Sequence, residues 1–493
     1  MKPNILLIMT DQQRYDSLGC YGFSAIPTPN IDSIGENGIV FKNCYVNNPV
    51  CTPSRASIFT GKSLTGHGVY RLNDILPSAE KLFPEYLRKA GYETALFGKL
   101  HVSSAVFEKD NRNKYDGFDR YCWNHEPVLF EDSPFNEYSA WLKQEHPDFY
   151  AEYFNKRRGY GSVPAELHCT TFLTNMAADF ISNRSSDTPF FCCLSVFDPH
   201  NPYNDCPEEG LAAVREDVLP EPNVCEADRY LPEDIIRERE HGYMKNVGIY
   251  TKADMMEMRK GYYGSIAFLD MQLKKVLDAL KIKGIMENTM ILFVSDHGDM
   301  LGDHDLLAKG AFFFDACTRV PLLIKPHGGV TNPIRVNTLV QPSDIAATVL
   351  AAAGYCDTEI KKIAPGSDNL LGLKADDKDR AAVCMYRGTG ICDTMSEFTP
   401  PIYATMFRKG DYKLNLYHNF YNSPPEGELY DISRDPGETN NLWSSLEYEK
   451  VKVNLILDYM NWQTAQDVLY NSSRGGHTQS VTQSMLNTEG GKG

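Results

Sequence analysis

Residues 51–61 read C-T-P-S-R-A-S-I-F-T-G, and the meaning of this stretch decides how the rest of the chain is read. Cys51 stands at the foot of a predicted helix and Arg55 follows one turn later, so the two side chains share a face. A lone cysteine in such a place is most often a buried, inert side chain. Thr60-Gly61-Lys62-Ser63 has the look of the end of a phosphate-binding loop, but that pattern needs a glycine where Ala56 stands. Whether Cys51 is inert or reactive therefore depends on the residues that accompany it along the chain.

Working outward, Asn4–Thr10 is a continuous apolar run that ends in Asp11-Gln12-Gln13, as expected of a buried parallel strand whose C-terminal end meets solvent. Thr94–Phe97, Phe190–Phe197, Met290–Ser295 and Val320–Lys325 are similar runs, and helical patterns at Glu80–Ala90 and Tyr263–Leu280 lie between them. This alternation predicts an α/β fold with a mostly parallel sheet flanked by helices. Ligands of such sheets sit beyond the carboxyl ends of the strands. Asp11, Lys99, His200 and Asp296 all follow such runs and are expected to converge on one rim.

The stretch 356–380 reads as a loop-rich crossing. Beyond it, Tyr403–Arg408, Tyr412–Tyr417 and Gly427–Ile432 predict short antiparallel strands, followed by a helix over Ser445–Gln463. The expected division is a catalytic unit at 1–375, a smaller C-terminal α+β unit at 376–471, and a polar tail at 472–493 suited to mobility or a subunit contact in a homo-oligomer.

A chain of 493 residues favours two domains, and 42% hydrophobic with 23% charged residues is ordinary globular composition. The apolar run Ile5–Met9 is far too short for a membrane span and lacks a signal-peptide cleavage site, so no membrane association and a cytoplasmic location are expected. Thirteen cysteines without a C-x-x-C pair point to reduced thiols. A formal net charge of -16 argues against nucleic acid as a partner. A local basic pocket can still hold one anionic group, because screening confines charge effects to about 8 Å at physiological salt.

The run at 51–61 fills every fixed position of the C-x-P-S-R-x-x-x-x-T-G signature, and the chain resembles the formylglycine-dependent sulfatases from its first strand through E-L-Y-D-I-S-R-D-P-G-E-T-N-N-L at 428–442. The resemblance implies the alkaline-phosphatase-like fold and hydrolysis of an aryl, steroid or carbohydrate sulfate ester. It implies that a maturation enzyme oxidises Cys51 to formylglycine, whose hydrate carries two hydroxyls on one carbon. A serine that captured a sulfuryl group would be left with an inert ester, whereas a geminal diol expels sulfate by collapsing to the aldehyde.

The resemblance also assigns roles. Asp11, Gln12, Asp296 and His297 match the metal ligands, and Cys51 joins them in the expected metal set. Calcium is the first expectation because of the oxygen donors, with manganese or magnesium as alternatives, since a histidine ligand suits softer ions. Arg55 is expected to stabilise the hydrate, Lys99 and Lys309 to bind sulfate oxygens, His101 to contact the nucleophile as a base, and His200 to protonate the leaving oxygen. His67 and His304 stay outside this set. The leaving group is expected among loops such as Trp123–Phe135 and Pro202–Tyr230.

Gln12 stands where many sulfatases carry a second carboxylate, a pattern similar to the phosphonate monoester hydrolases, which are the alternative reading. A missing unit charge at about 4 Å is worth on the order of 4 kcal/mol at an effective dielectric of 20, so tolerance of a more negative substrate is expected.

Overall fold

The computed structural model describes residues 2–241, 250–388, 398, 400–418 and 426–471; the tail at 472–493 lies outside them. Asn4–Thr10 (β1), Ile39–Tyr45 (β2), Glu93–Gly98 (β3), Arg120–Trp123 (β4), Phe190–Ser195 (β5), Thr289–Ser295 (β6), Arg319–Lys325 (β7) and Ile334–Val336 (β8) form one sheet in the order β4-β3-β5-β1-β6-β7-β2-β8. β1 lies at its centre, parallel to β5 and β6. The sheet is mostly parallel, as expected, but β7 runs antiparallel to both β6 and β2.

Every residue of β1, β5 and β6 is buried. Their apolar runs have no polar alternation because both faces are covered, which is the mark of a two-sided sheet. Ile5, Leu7 and Met9 belong to one core, with Ile58 and Phe59 of the Cys51–Thr60 helix. Leu6 and Ile8 point the other way, into a core shared with Tyr262, Ile266 and Leu269 of the long helix Lys252–Ile282.

That long helix starts well before the expected Tyr263, at a capping box in which Thr251 and Asp254 each accept the other's backbone N–H. The predicted Glu80–Ala90 helix is shorter, Phe83–Lys89, with Pro84 in its first turn. The crossing at 356–380 is not all loop: it holds the helix Asp357–Ile363 and a 3-10 turn at Leu370–Gly372.

The C-terminal unit is a four-stranded antiparallel sheet of Ala381–Gly388 (β9), Ile402–Lys409 (β10), Tyr412–Tyr417 (β11) and Glu426–Asp431 (β12), in the order β12-β11-β10-β9. The helix Glu449–Asn471 lays Leu455 and Tyr459 on Val383, Phe407, Leu414 and Leu429. β9 also grips the first unit: the Met385 N–H donates to Asn47 O, and Asn48 Nδ2 donates to Met385 O.

Lys413 of β11 ties the two sheets together. Fully buried, it pairs with Asp315 at 2.8 Å and Glu438 at 2.7 Å. Burial pushes the Glu438 carboxyl up to about 7 against the pull of Lys413. Because that value lies above the ordinary carboxylate range, the stability Glu438 contributes is complete below about pH 4.5 and is lost as pH rises through 7. Lys413→Met leaves two buried carboxylates without their cation and should cost about 3–5 kcal/mol in urea unfolding at pH 8. The deficit should shrink at pH 5.5, where Glu438 can be neutral; equal deficits at both pH values would show that the pair does not carry the junction.

Candidate active site

The Cys51–Thr60 helix is buried over all ten residues, with its N-terminus aimed at the carboxyl ends of β1 and β6. Gly61 ends it at φ +65°, where a Cβ would lie 2.5 Å from that of Ala364 and 2.7 Å from that of Ala346. Only glycine meets both demands, which explains the T-G that closes the motif.

Asp11, Cys51, Asp296 and His297 present donor atoms all within 4.8 Å of one another. Cys51 Sγ lies 3.1 Å from His297 Nε2 and 3.7 Å from Asp11 Oδ1. His297 Nδ1 donates to Gly298 O at 2.9 Å, which leaves the Nε2 lone pair facing the cluster. Gln12 is a further ligand candidate. Its Nε2 donates to Asp299 Oδ2 at 2.6 Å, while its buried Oε1 has no partner among the described residues. Two carboxylates, an imidazole lone pair and an orphaned amide oxygen form a donor set that fits a hard divalent ion.

Three cations surround these groups. Lys99 Nζ donates to Asp11 Oδ2 at 2.6 Å. Lys309 Nζ lies 2.9 Å from Cys51 Sγ, 2.9 Å from His200 Nε2 and 3.1 Å from His297 Nε2. Burial pushes the Asp11 carboxyl up, but Lys99, His200, Arg55 and Lys309 together hold it well below the ordinary carboxylate range. Burial and Asp11 also push the Cys51 thiol up, and Lys309, Lys99 and His297 outweigh them, so it sits below an ordinary thiol. A group at position 51 is thus held in an electropositive, water-poor place suited to a nucleophile.

Two of the expected residues make no direct bond to Cys51. Arg55 makes no hydrogen bond to Cys51; its Nε donates to Asp296 Oδ2 at 2.6 Å and its NH2 lies 3.3 Å from Asp11 Oδ2. The guanidinium reaches past the helix foot to the strand ends, where two carboxylates need a counter-charge, and Lys309 takes the place beside Cys51. His101 likewise bonds Thr52 Oγ1, at 2.9 Å, and not Cys51. The Thr52 hydroxyl donates to Leu72 O, so His101 carries its proton on Nε2 and its buried Nδ1 is left without a partner.

His200 donates from Nδ1 to Asn201 O at 2.7 Å, which turns Nε2 toward Lys309. His67 accepts the Val69 N–H and bonds Ser57, a structural use. His304 pairs with Asp228 at 2.8 Å and stacks on Phe314, bracing the loop that carries Lys309.

Two contributors escaped the sequence reading. Asp299, three residues after Asp296 in the same S-D-H-G-D run, accepts from both Gln12 and the Tyr203 hydroxyl. It stands behind Gln12 and restores part of the negative charge that Gln12 omits, so the tolerance expected from that omission is smaller. Glu108 accepts the N–H groups of His101, Val102 and Ser103 and the Trp123 indole, and holds His101 at its φ of +53°. The second acid of D-H-G-D was visible; nothing local marks Glu108.

The sulfatase family model matches residues 3–355. The chain belongs to the sulfatase family. The model for the C-terminal region of N-sulphoglucosamine sulphohydrolase matches residues 302–464. An arylsulfatase of Clostridium perfringens is 30% identical over 478 residues, covering 91% of this chain and 92% of that protein. An N-acetylglucosamine-6-O-sulfatase of Bacteroides thetaiotaomicron is 25% identical, covering 92% of this sulfatase and 85% of its relative. The solved phosphonate monoester hydrolase of Agrobacterium radiobacter superposes with a TM-score of 0.76 at 22% identity, covering 94% and 96% of the two chains, and shares the fold. The protein is a type I sulfatase of the alkaline phosphatase superfamily, a sulfuric ester hydrolase. None of the sulfatase's described helices is long and apolar enough to cross a membrane, and its described cysteines are all free thiols.

Asp11→Ala or Asp296→Ala removes a charged oxygen donor and should abolish divalent-metal content, measured by elemental mass spectrometry, together with activity. Full metal occupancy in either variant would refute the ligand assignment.

Proposed function

We propose that this enzyme hydrolyses the sulfate ester of a saccharide or aryl alcohol through a formylglycine hydrate formed at Cys51. The observation that carries the reading is the convergence of Lys309, His297 and Asp11 on the Cys51 side chain, at the start of a complete C-x-P-S-R-x-x-x-x-T-G motif. A thiol has no need of a base, a cation and a metal-ligating carboxylate together; a diol that must lose a proton and attack sulfur does. A divalent ion, calcium before manganese or magnesium, fits Asp11, Gln12, Asp296 and His297 and would acidify the attacking hydroxyl and draw charge from the sulfuryl oxygens.

One diol hydroxyl gives up its proton to solvent water, and its oxygen attacks sulfur in line as the bond from sulfur to the alcohol oxygen breaks. The departing oxygen takes a proton from His200 Nε2, which Lys309 supplies across their 2.9 Å contact. Lys99 balances the charge of the transferring group, and Lys309 does so until its proton has passed to His200. The second hydroxyl then loses its proton, which we assign to His101. Its unpartnered Nδ1 can accept a proton, and its Nε2 is anchored on the residue next to the nucleophile. The carbon–oxygen bond to sulfate breaks, the aldehyde returns, and water restores the diol.

Protein co-expressed with a formylglycine-generating enzyme should show a Cys51 peptide lighter by about 18 Da, since S–H and one hydrogen are exchanged for an aldehyde oxygen. Fully active enzyme with an intact thiol would sink the mechanism. The matured enzyme should also prefer 4-nitrophenyl sulfate to 4-nitrophenyl phenylphosphonate in kcat/KM; the reverse order would place its reaction with the phosphonate monoester hydrolases.

His200→Ala should slow esters of weakly acidic alcohols about 10²- to 10⁴-fold more than esters of nitrophenols, which leave as anions without help. Equal losses on both would leave His200 as a binding residue.

A further inference from the structure

A cleft of about 750 Å³ opens between the Gly68–Ile75 loop and the paired ends of β9 and β10, lined by Tyr70, Arg71, Ile75, Arg387 and Tyr403 among others. That volume suits a small organic ligand or a sugar unit. Both walls are fastened to residues next to the nucleophile. The Leu72 carbonyl accepts the hydroxyl of Thr52, the residue after Cys51. Met385 of β9 is bonded to Asn47 and Asn48, just before Cys51, and Arg387 lies two residues further along that strand, about 7 Å.

Arg387 is the unusual feature of the cleft. The other guanidinium, Arg71, is offset by Asp74 at 2.9 Å. No carboxylate pairs with Arg387 among the described residues. Its NH1 donates to Tyr386 O and Ala404 O, and its NH2 to Thr405 Oγ1 at 2.9 Å. Burial holds it below its ordinary value, against the pull of Tyr459, Tyr70 and Tyr403. Neighbouring His418, pushed down to about 4 by burial and by Arg387, adds no charge at neutral pH. A desolvated cation with no counter-ion among the described residues is costly to bury.

We propose that this cleft is a subsite for a second anionic group, a carboxylate or a further sulfate, carried by the leaving alcohol, with Arg387 as its anchor. The inference rests on the sulfate-ester reading and narrows it to substrates whose alcohol is itself charged, such as an acidic or multiply sulfated sugar. The reacting sulfate sits at Cys51, and the second anion lies beyond the Thr52–Leu72 contact, where a planar guanidinium accepts either oxyanion through paired N–H donors.

The test is isothermal titration of the unmatured protein, which binds the leaving alcohol without turnover, with glucosamine 2-N-sulfate, glucuronate and neutral N-acetylglucosamine at low salt. At least one charged sugar should bind about tenfold tighter than the neutral one, and the two charged arms separate a sulfate site from a carboxylate site. Arg387→Gln should erase that preference and leave N-acetylglucosamine binding unchanged, while Arg387→Lys keeps part of it. Equal binding of all three sugars by the wild type would overturn the inference. So would an Arg387→Gln variant that melts earlier yet keeps the preference, since Arg387 would then only brace β9 against β10. Should Arg387→Gln not fold, the wild-type preference and its reduction in Arg387→Lys decide. Loss of 4-nitrophenyl sulfate hydrolysis by the matured enzyme bears on the reaction at Cys51, not on this binding.

Discussion

One buried guanidinium organises this molecule. Arg55, with no solvent exposure, bonds Asp296 beyond β6, approaches Asp11 beyond β1, and gives its remaining N–H groups to the Lys99 carbonyl beyond β3 and the Ser195 hydroxyl at the end of β5. Four strand ends and the helix that carries Cys51 therefore meet at a single planar cation. Its fork geometry allows this where a lysine's point charge would not. Truncating one member of such a buried network leaves charges unpaired at a cost of about 3–5 kcal/mol, so the same contacts hold the fold and aim the carboxylates.

Around that cation the backbone is held in conformations that residues with a Cβ rarely adopt. Gln12, His101, His304 and Ala308 all have positive φ between 53° and 69°. Each lies on a loop that delivers a site group, and each is over-determined by neighbours: Tyr262 accepts no bond from Gln12 but donates to its carbonyl, and Glu108 gathers three N–H groups around His101. The surroundings that impose this geometry are rigid because both cores pack directly against the central strands.

The C-terminal sheet is more than an appendage. Lys413 joins it to Asp315 near β7, and β9 runs along the residues leading into Cys51. A second unit fastened that closely to the residues before Cys51 also forms one wall of the cleft that Arg387 lines.

The sequence by itself determined the class of fold and the family, and it singled out the residues that the structure gathers around Cys51. Continuous apolar runs ending in Asp11 or Asp296 read as buried strands with polar rims, and the motif at 51–61 ties several residue types to one local geometry. Short or masked signals were lost: β4 has four residues and β8 three, and β9 follows directly on a charged loop. Long-range partnership was decided by tertiary structure alone. That Arg55 serves the carboxylates, that His101 rests on Thr52, that Asp299 backs Gln12 and that Arg387 lines the cleft beside the Gly68–Ile75 loop all depend on chain segments brought together from tens to hundreds of residues apart. Spacing along a strand or helix specifies which face a side chain takes; which charge it meets there is set by how the elements pack.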